Sequence, residues 1–223
     1  MKLYFSPLAC SLAARITLHE VGASEVALVE VDPKTKRTRP DGVDFTTIHP
    51  LALVPALELD DGGLLTENAA ILQYLAERFG QGRLAPEDAL GRARLQQWLG
   101  FIGTELHKAL FVPLLDKQAS KEARAYALAK EESRLGYVDR ALAGREHLLD
   151  RFSVADAYLF AILNWTAVTP VSLRRYRALA DYHARLRDRP SVARAFGEER
   201  TLYAKELARR GLSFIVGESG SRS

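Results

Sequence analysis

Cysteine is nearly absent from this chain: Cys10 is the only one in 223 residues. No disulfide can form within the chain, and a reducing compartment suits a free thiol. A dominant charge of one sign is missing too, since 31 basic residues stand against 28 acidic ones for a net charge of +3. The two signs are interleaved apart from a basic cluster at Lys34 to Arg39. Nucleic-acid binding needs one basic face, so no nucleic-acid partner is expected. No apolar run approaches the ~20 residues that span a bilayer, and the N-terminus lacks the shape of a signal peptide. Membrane attachment is therefore not expected, and the cytoplasm is the expected compartment. There is no glycine-rich phosphate loop, no internal repeat and no clustered set of metal ligands, so no metal is expected. What remains is ordinary for a protein with a real core, at 48% hydrophobic and 26% charged residues. The length fits two modest domains.

The stretch that organises the rest is MKLYFSPLACSLAARITLHE. Lys2 to Phe5 reads as a short strand, Ser6 to Ala9 as a turn, and Cys10-Ser11 as the opening of a helix. That helix runs to about Val21, where Gly22 can supply a left-handed cap. Orphan N–H groups and the helix dipole at its N-terminus favour a thiolate at Cys10. Two readings stay open: a nucleophile or redox centre, and a small buried apolar residue.

Val26 to Val31 is a valine-rich run that reads as a strand buried on both faces. Strand, helix and strand at this spacing form a βαβ unit with parallel strands. The polar segment Lys34 to Gly42 reads as an exposed loop, with Lys36 among its solvated charges. His49 to Leu59 and Leu64-Leu65 flank the turn Asp60 to Gly63, a hairpin signal. Pro55 begins the first of these strands, leaving Val54 with free backbone groups for an extended peptide. Thr66-Glu67-Asn68 opens a helix that stops near Gly80. Its orphan N–H groups suit a carboxylate and Glu67 a cationic amine on the same ligand, or else Glu67 simply complements the dipole.

Gly80 to Leu90 is the clearest linker, and everything after it reads helical. From Arg92 to about Leu114, Leu95, Trp98, Leu99, Ile102 and Leu106 form an apolar stripe. Another face carries Gly100, Gly103, Thr104, His107 and Phe111, which either lines a cleft or holds a satisfied histidine. Ala119 to Ala143 reads as one long helix. Ser153 and Asp156 form a capping box ahead of the most apolar helix, AYLFAILNWTAV. Leu173 to Arg187 and Ser191 to Ala204 give two more helices, and GESGSRS reads as a flexible tail.

Four segments, MKLYFSPLACSLA, VPALELDDGGLLTENAAILQYLAE, TELHKAL and FSVADAYLF, together resemble the bacterial beta-class glutathione transferases. The likeness covers nearly the whole chain in order. It implies an α/β plus all-α architecture: a thioredoxin-like βαβαββα domain at 1–80, a linker at 81–90, an all-helical domain at 91–211 and a tail at 212–223. It further implies a homodimeric enzyme of detoxification, with glutathione as co-substrate and a small apolar electrophile as the second substrate. By resemblance Pro55 is a cis-proline and Val54 pairs its backbone with the cysteinyl part of glutathione. Glu67 and Asn68 hold the γ-glutamyl end, and Lys36 reaches the glycyl carboxylate. Cys10 points at the glutathione sulfur and can form a mixed disulfide with it. His107 sits opposite, near the thiol, and Glu105 reaches the partner subunit's site. The chemistry is attack of the glutathione thiolate on an electrophilic carbon or a disulfide sulfur, with thiol exchange or peroxide reduction through Cys10 as a second route.

The sequence departs from the family at several positions. Glycine is usual where Leu8 stands, Lys-Gly where Leu51-Ala52 stands, asparagine often where Gly100 stands and histidine where Arg15 stands. Leucine resists backbone geometry that glycine allows, so the turn before Cys10 is expected to change. These apolar replacements motivate an alternative: a transferase-fold binding protein for apolar ligands or partners, with little turnover. Within the enzyme reading, Ser11 or Tyr4 is an alternative activator of the glutathione thiol.

Overall fold

The protein is described here by a computed structural model covering residues 1–212. Its first part is a mixed five-stranded sheet. β1 (Lys2–Phe5), α1 (Leu12–Val21) and β2 (Ala27–Val31) form the expected βαβ unit. The two strands run parallel, from Lys2 opposite Ala27 to Phe5 opposite Glu30. Gly22 ends α1 in the left-handed conformation, at φ 74°. β3 (Thr38–Arg39) adds antiparallel to β2, β4 (Ala56–Glu58) to β1 and β5 (Leu64–Leu65) to β4, giving the order β3-β2-β1-β4-β5. The β4–β5 hairpin turns through Gly62 at φ 83°. α2 (Asn68–Gly80) then packs Ile71, Leu72 and Leu75 against the sheet half's core.

The half follows the expected scheme with its second helix shortened, and one expectation is corrected. The second helix of the βαβαββα scheme is a single 3-10 turn at Phe45–Thr47, capped by Asp44 and anchored by the fully buried Phe45 ring. Pro33, Pro40, Gly42 and Pro50 punctuate that stretch, which leaves little uninterrupted chain for a longer helix. β2 is not buried on both faces: Ala27 and Leu28 are exposed and only Val31 is fully inside. Val31 packs in a small separate cluster with Tyr4, Phe45, Ala52 and Ala56.

The second part is helical throughout. α3 (Ala89–Phe101) continues unbroken as a π-helical stretch at Ile102–Phe111 and then α4 (Val112–Leu115). The expected single helix from Ala119 to Ala143 is two, α5 (Lys121–Leu128) and α6 (Glu131–Leu142). They separate at Ala129-Lys130 with neither glycine nor proline to mark the break. Both segments bury their own residues, Ala127 in one and Leu135 and Val138 in the other, so packing overrides a continuous helical pattern. α7 (Val154–Leu163) is buried along its whole length. α8 (Arg177–Arg187) and α9 (Pro190–Arg209) follow, the latter longer than expected.

The start of α7 is held as its capping box predicts. Asp156 accepts from the Ser153 N–H at 2.8 Å and from its hydroxyl at 2.9 Å. It also accepts from the Leu148 N–H at 2.9 Å and the Tyr182 phenol at 2.8 Å, so a fully buried carboxylate has four donors. One hydrophobic cluster extends from Leu3 and Leu12 in the sheet half through Leu106 to Leu159 in the helical half. α1 packs against both α7 and α9, so the two halves share a core. Among the described residues no helix is long and apolar enough to cross a membrane. The expected tail lies, from residue 213 on, outside the described residues.

Candidate active site

The turn between β1 and α1 is built by local hydrogen bonds. The Ala9 N–H donates to the Ser6 carbonyl at 3.1 Å. Ser11 braces the same turn, accepting from the Ser6 N–H and donating to the Ser6 carbonyl, each at 3.2 Å. The Tyr4 phenol donates to Glu58 at 2.6 Å. Both hydroxyls considered as alternative activators are thus committed to other partners. Leu8 takes the left-handed region at φ 58°, so leucine does not abolish a bend of the kind glycine favours. Its N–H donates to Glu199 at 2.6 Å, and its carbonyl accepts from the Trp165 indole at 2.9 Å.

Cys10 follows this bend and is buried, at 9% exposure. Its thiol donates to the Val54 carbonyl at 3.2 Å. The Val54–Pro55 bond is cis, as the resemblance implies. Val54 lies just outside the β1–β4 ladder, so strand pairing does not consume its backbone groups. The expectation of an ionised sulfur is corrected. Burial pushes the Cys10 thiol up to about 12, against the lowering effect of Lys108 and of the Cys10 and Ser11 N–H groups. Removal from water outweighs the helix terminus.

The remaining expected residues fall in three groups. Asn68, buried at the start of α2, donates to the Cys10 carbonyl at 2.9 Å, and its side-chain oxygen is buried without a hydrogen-bond partner. Glu67 precedes it at φ 65°, exposed, and acts electrostatically on the Tyr158 phenol, as Cys10 does. Lys36 donates to the carbonyl of Ala52 at 3.4 Å, two residues before Val54. Cys10, Val54, Pro55, Asn68, Glu67 and Lys36 therefore gather along one edge.

His107 lies on the π-helical stretch and joins this edge through Tyr158. Its Nδ1 and the Tyr158 phenol share a hydrogen bond of 2.8 Å. Burial first, and the positive charge of Lys108 second, hold the imidazole down to about 4, so it is neutral at pH 7. The ring packs edge-on to Trp165 at 5.1 Å, and Trp165 meets Phe111 at 6.0 Å, forming an aromatic wall. Glu105 is not brought to this edge. It accepts from Arg134 of α6 at 2.9 and 3.0 Å.

Tyr158, Trp165 and Glu199 escaped sequence reasoning. Tyr158 and Trp165 sit in the segment read as the most apolar helix, where a phenol and an indole N–H were the available signals. Glu199 was hidden because its partner is 191 residues away. Among the described residues no group of three His, Cys, Asp or Glu side chains is placed to hold a metal.

A cysteine on a strand-turn-helix, facing the residue before a cis-proline, sits within a domain of the thioredoxin-like class. Comparison with known proteins narrows this. The N-terminal domain model of the glutathione S-transferases matches residues 9–78 and the C-terminal domain model residues 104–190. Glutathione S-transferase GstA of Escherichia coli O157:H7 is 42% identical over 202 residues, covering 89% of this chain and 98% of that protein. The structure of a sphingomonad glutathione S-transferase complexed with glutathione aligns with a TM-score of 0.84 at 44% identity, over 90% of this chain and 99% of that one. The bacterial beta-class enzyme of Sphingomonas chungbukensis aligns with a TM-score of 0.83 at 45% identity, over 89% and 98%. The chain belongs to the glutathione S-transferase family, alongside its bacterial beta-class members. Glutathione transfer is the activity that membership carries, and the binding-module alternative is not favoured.

Proposed function

We propose that this chain transfers glutathione to small apolar electrophiles, with residues 1–80 binding glutathione, 81–90 linking, and 91–211 forming the electrophile side. The observation that carries this reading is the Cys10 thiol on the Val54 carbonyl at 3.2 Å, at an edge that strand pairing leaves open. An extended tripeptide can add there through Val54, while Asn68 and Glu67 take its γ-glutamyl end at the start of α2 and Lys36 its glycyl carboxylate.

Cys10 then has two roles. Protonated, its S–H turns from Val54 to the glutathione sulfur and stabilises that sulfur as a thiolate. The thiolate attacks the electrophilic carbon, a C–S bond forms, and the leaving group departs with its electron pair. In thiol exchange Cys10 itself attacks a disulfide sulfur after losing its proton. Neutral His107, backed by Tyr158, is the nearby proton acceptor or donor. Trp165 and Phe111 give the electrophile an apolar wall. We assign Glu105 to the partner's site in a homodimer, and the enzyme to detoxification in the cytoplasm.

The test is turnover of an aryl halide with reduced glutathione. The chain should show saturable, glutathione-dependent conjugation. Asn68→Ala should raise KM for glutathione about tenfold, the cost of ~1.4 kcal/mol of lost hydrogen bonding. Cys10→Ala should lower kcat. No conjugation above the uncatalysed rate, across aryl halides, disulfides and peroxides, would overturn the reading.

A further inference from the structure

We propose that Glu199 and Trp165 are positioning residues through which the helical half sets the geometry of the Cys10 turn, by clamping the Leu8 peptide from both sides. The inference rests on the assignment of Cys10 to the glutathione site and adds to it the groups that hold it in place. The Leu8 N–H donates to Glu199 Oε2 at 2.6 Å, and the Leu8 carbonyl accepts from Trp165 Nε1 at 2.9 Å. Glu199 belongs to α9 and Trp165 to the 3-10 turn after α7, while Leu8 sits in the sheet half two residues before Cys10. A leucine at φ 58° is held against its own preference, so this bend needs an outside restraint.

Docking of α9 has anchors besides Glu199. Arg15 and His19 of α1 already grip the neighbouring Glu198, at 2.5 and 3.0 Å. Glu199 is fully buried, and its second oxygen makes no hydrogen bond, with the Arg15 guanidinium 3.6 Å away. The hydrogen bond it does make goes to the turn. Trp165 also packs against His107 and Phe111, so the clamp shares an indole with the aromatic wall.

The groups facing the Glu199 carboxyl are the Leu8 N–H of the turn, Arg15 of α1 and Glu198 of α9, itself bonded to His19 and Arg194. Burial first, with Glu198 adding, raises Glu199 to about 8 against the pull of Arg15 and Leu8. Its ionised form in turn disfavours the Cys10 thiolate. The clamp therefore changes charge in the range where thiols react.

The experiment is the rate of alkylation of Cys10 by iodoacetamide in the full chain, from about pH 6 to about pH 9, alongside thermal unfolding. It needs no glutathione, so it reads the turn even if glutathione transfer fails. Trp165→Phe keeps a ring on the wall but removes the N–H, and should speed alkylation about fivefold as the turn loosens. Glu199→Gln keeps an acceptor for Leu8 but cannot ionise. The wild-type log rate should flatten near pH 8, and this variant should rise straight through that range. If Trp165→Phe unfolds, the Glu199→Gln profile decides the matter alone. Alkylation in both variants that stays within about twofold of wild type, with the wild-type pH profile, would overturn the proposal.

Discussion

The thiol of Cys10 and the carbonyl of Val54 meet at 3.2 Å, joining the turn after β1 to the residue before Pro55, two ahead of β4. This bond and the burial around it determine the state of the sulfur. A helix terminus contributes about 0.3–1 kcal/mol in favour of a negative charge. A rise to about 12 outweighs that several times over, at about 1.4 kcal/mol per pKa unit. Thiolate absorbance, taken as the difference between the chain and Cys10→Ala, should be absent at pH 7 and appear only in strongly alkaline solution. A thiolate signal at neutral pH would show that the thiol is not held as described.

Ala52 predicts a gain in stability. It is buried at φ 48°, where the family usually has glycine, and its carbonyl accepts from Lys36. Ala52→Gly relieves the left-handed strain while leaving that carbonyl in place. It should stabilise the chain by about 1 kcal/mol and raise Tm by about 2–4 °C in thermal unfolding.

Asp156 predicts a loss. Asp156→Ala leaves four buried donors unsatisfied at the start of α7 and should cost about 3–5 kcal/mol. Asp156→Asn keeps one acceptor oxygen and should fall between. Chemical denaturation of the three proteins checks the order, and equal midpoints would contradict it.

Much of this was readable in the chain because the controlling chemistry is local. Gly22 stops α1, Ser153 and Asp156 cap α7, and Asp60 to Gly63 turn the hairpin, each through contacts a few residues apart. The cluster at Cys10, Val54, Glu67 and Asn68 was legible through resemblance, which supplied the long-range pairing. What stayed hidden depends on distant partners. The break at Ala129-Lys130 has no local marker, and the exposure of Leu28 depends on what covers the sheet. The ionisation of Cys10 was misread because the helix terminus is written in sequence and the burial is not. Leu8 was misread because its bend is held by Glu199 and Trp165.

His107 predicts how stability depends on pH. Its folded value of about 4 lies below the ordinary 6.5, so the unfolded chain binds more protons between them. The contribution is fully present above about pH 6.5 and is lost as pH falls towards 4, up to about 3 kcal/mol. His107→Gln should flatten that slope in denaturation measured across this window. The slope from His183, also held to about 4 by burial first and Arg187 second, should remain.

The placement of Cys10 beside the glutathione sulfur is tested most directly by intact mass after incubation with oxidised glutathione in strongly alkaline solution, where Cys10 ionises. Attack by Cys10 breaks the disulfide, forms a mixed disulfide and releases one glutathione as its thiolate. The account predicts a gain of one glutathione moiety in the chain, removed by a reductant and absent in Cys10→Ala. An unmodified chain, under conditions that convert an exposed thiol of a reference protein, would contradict it.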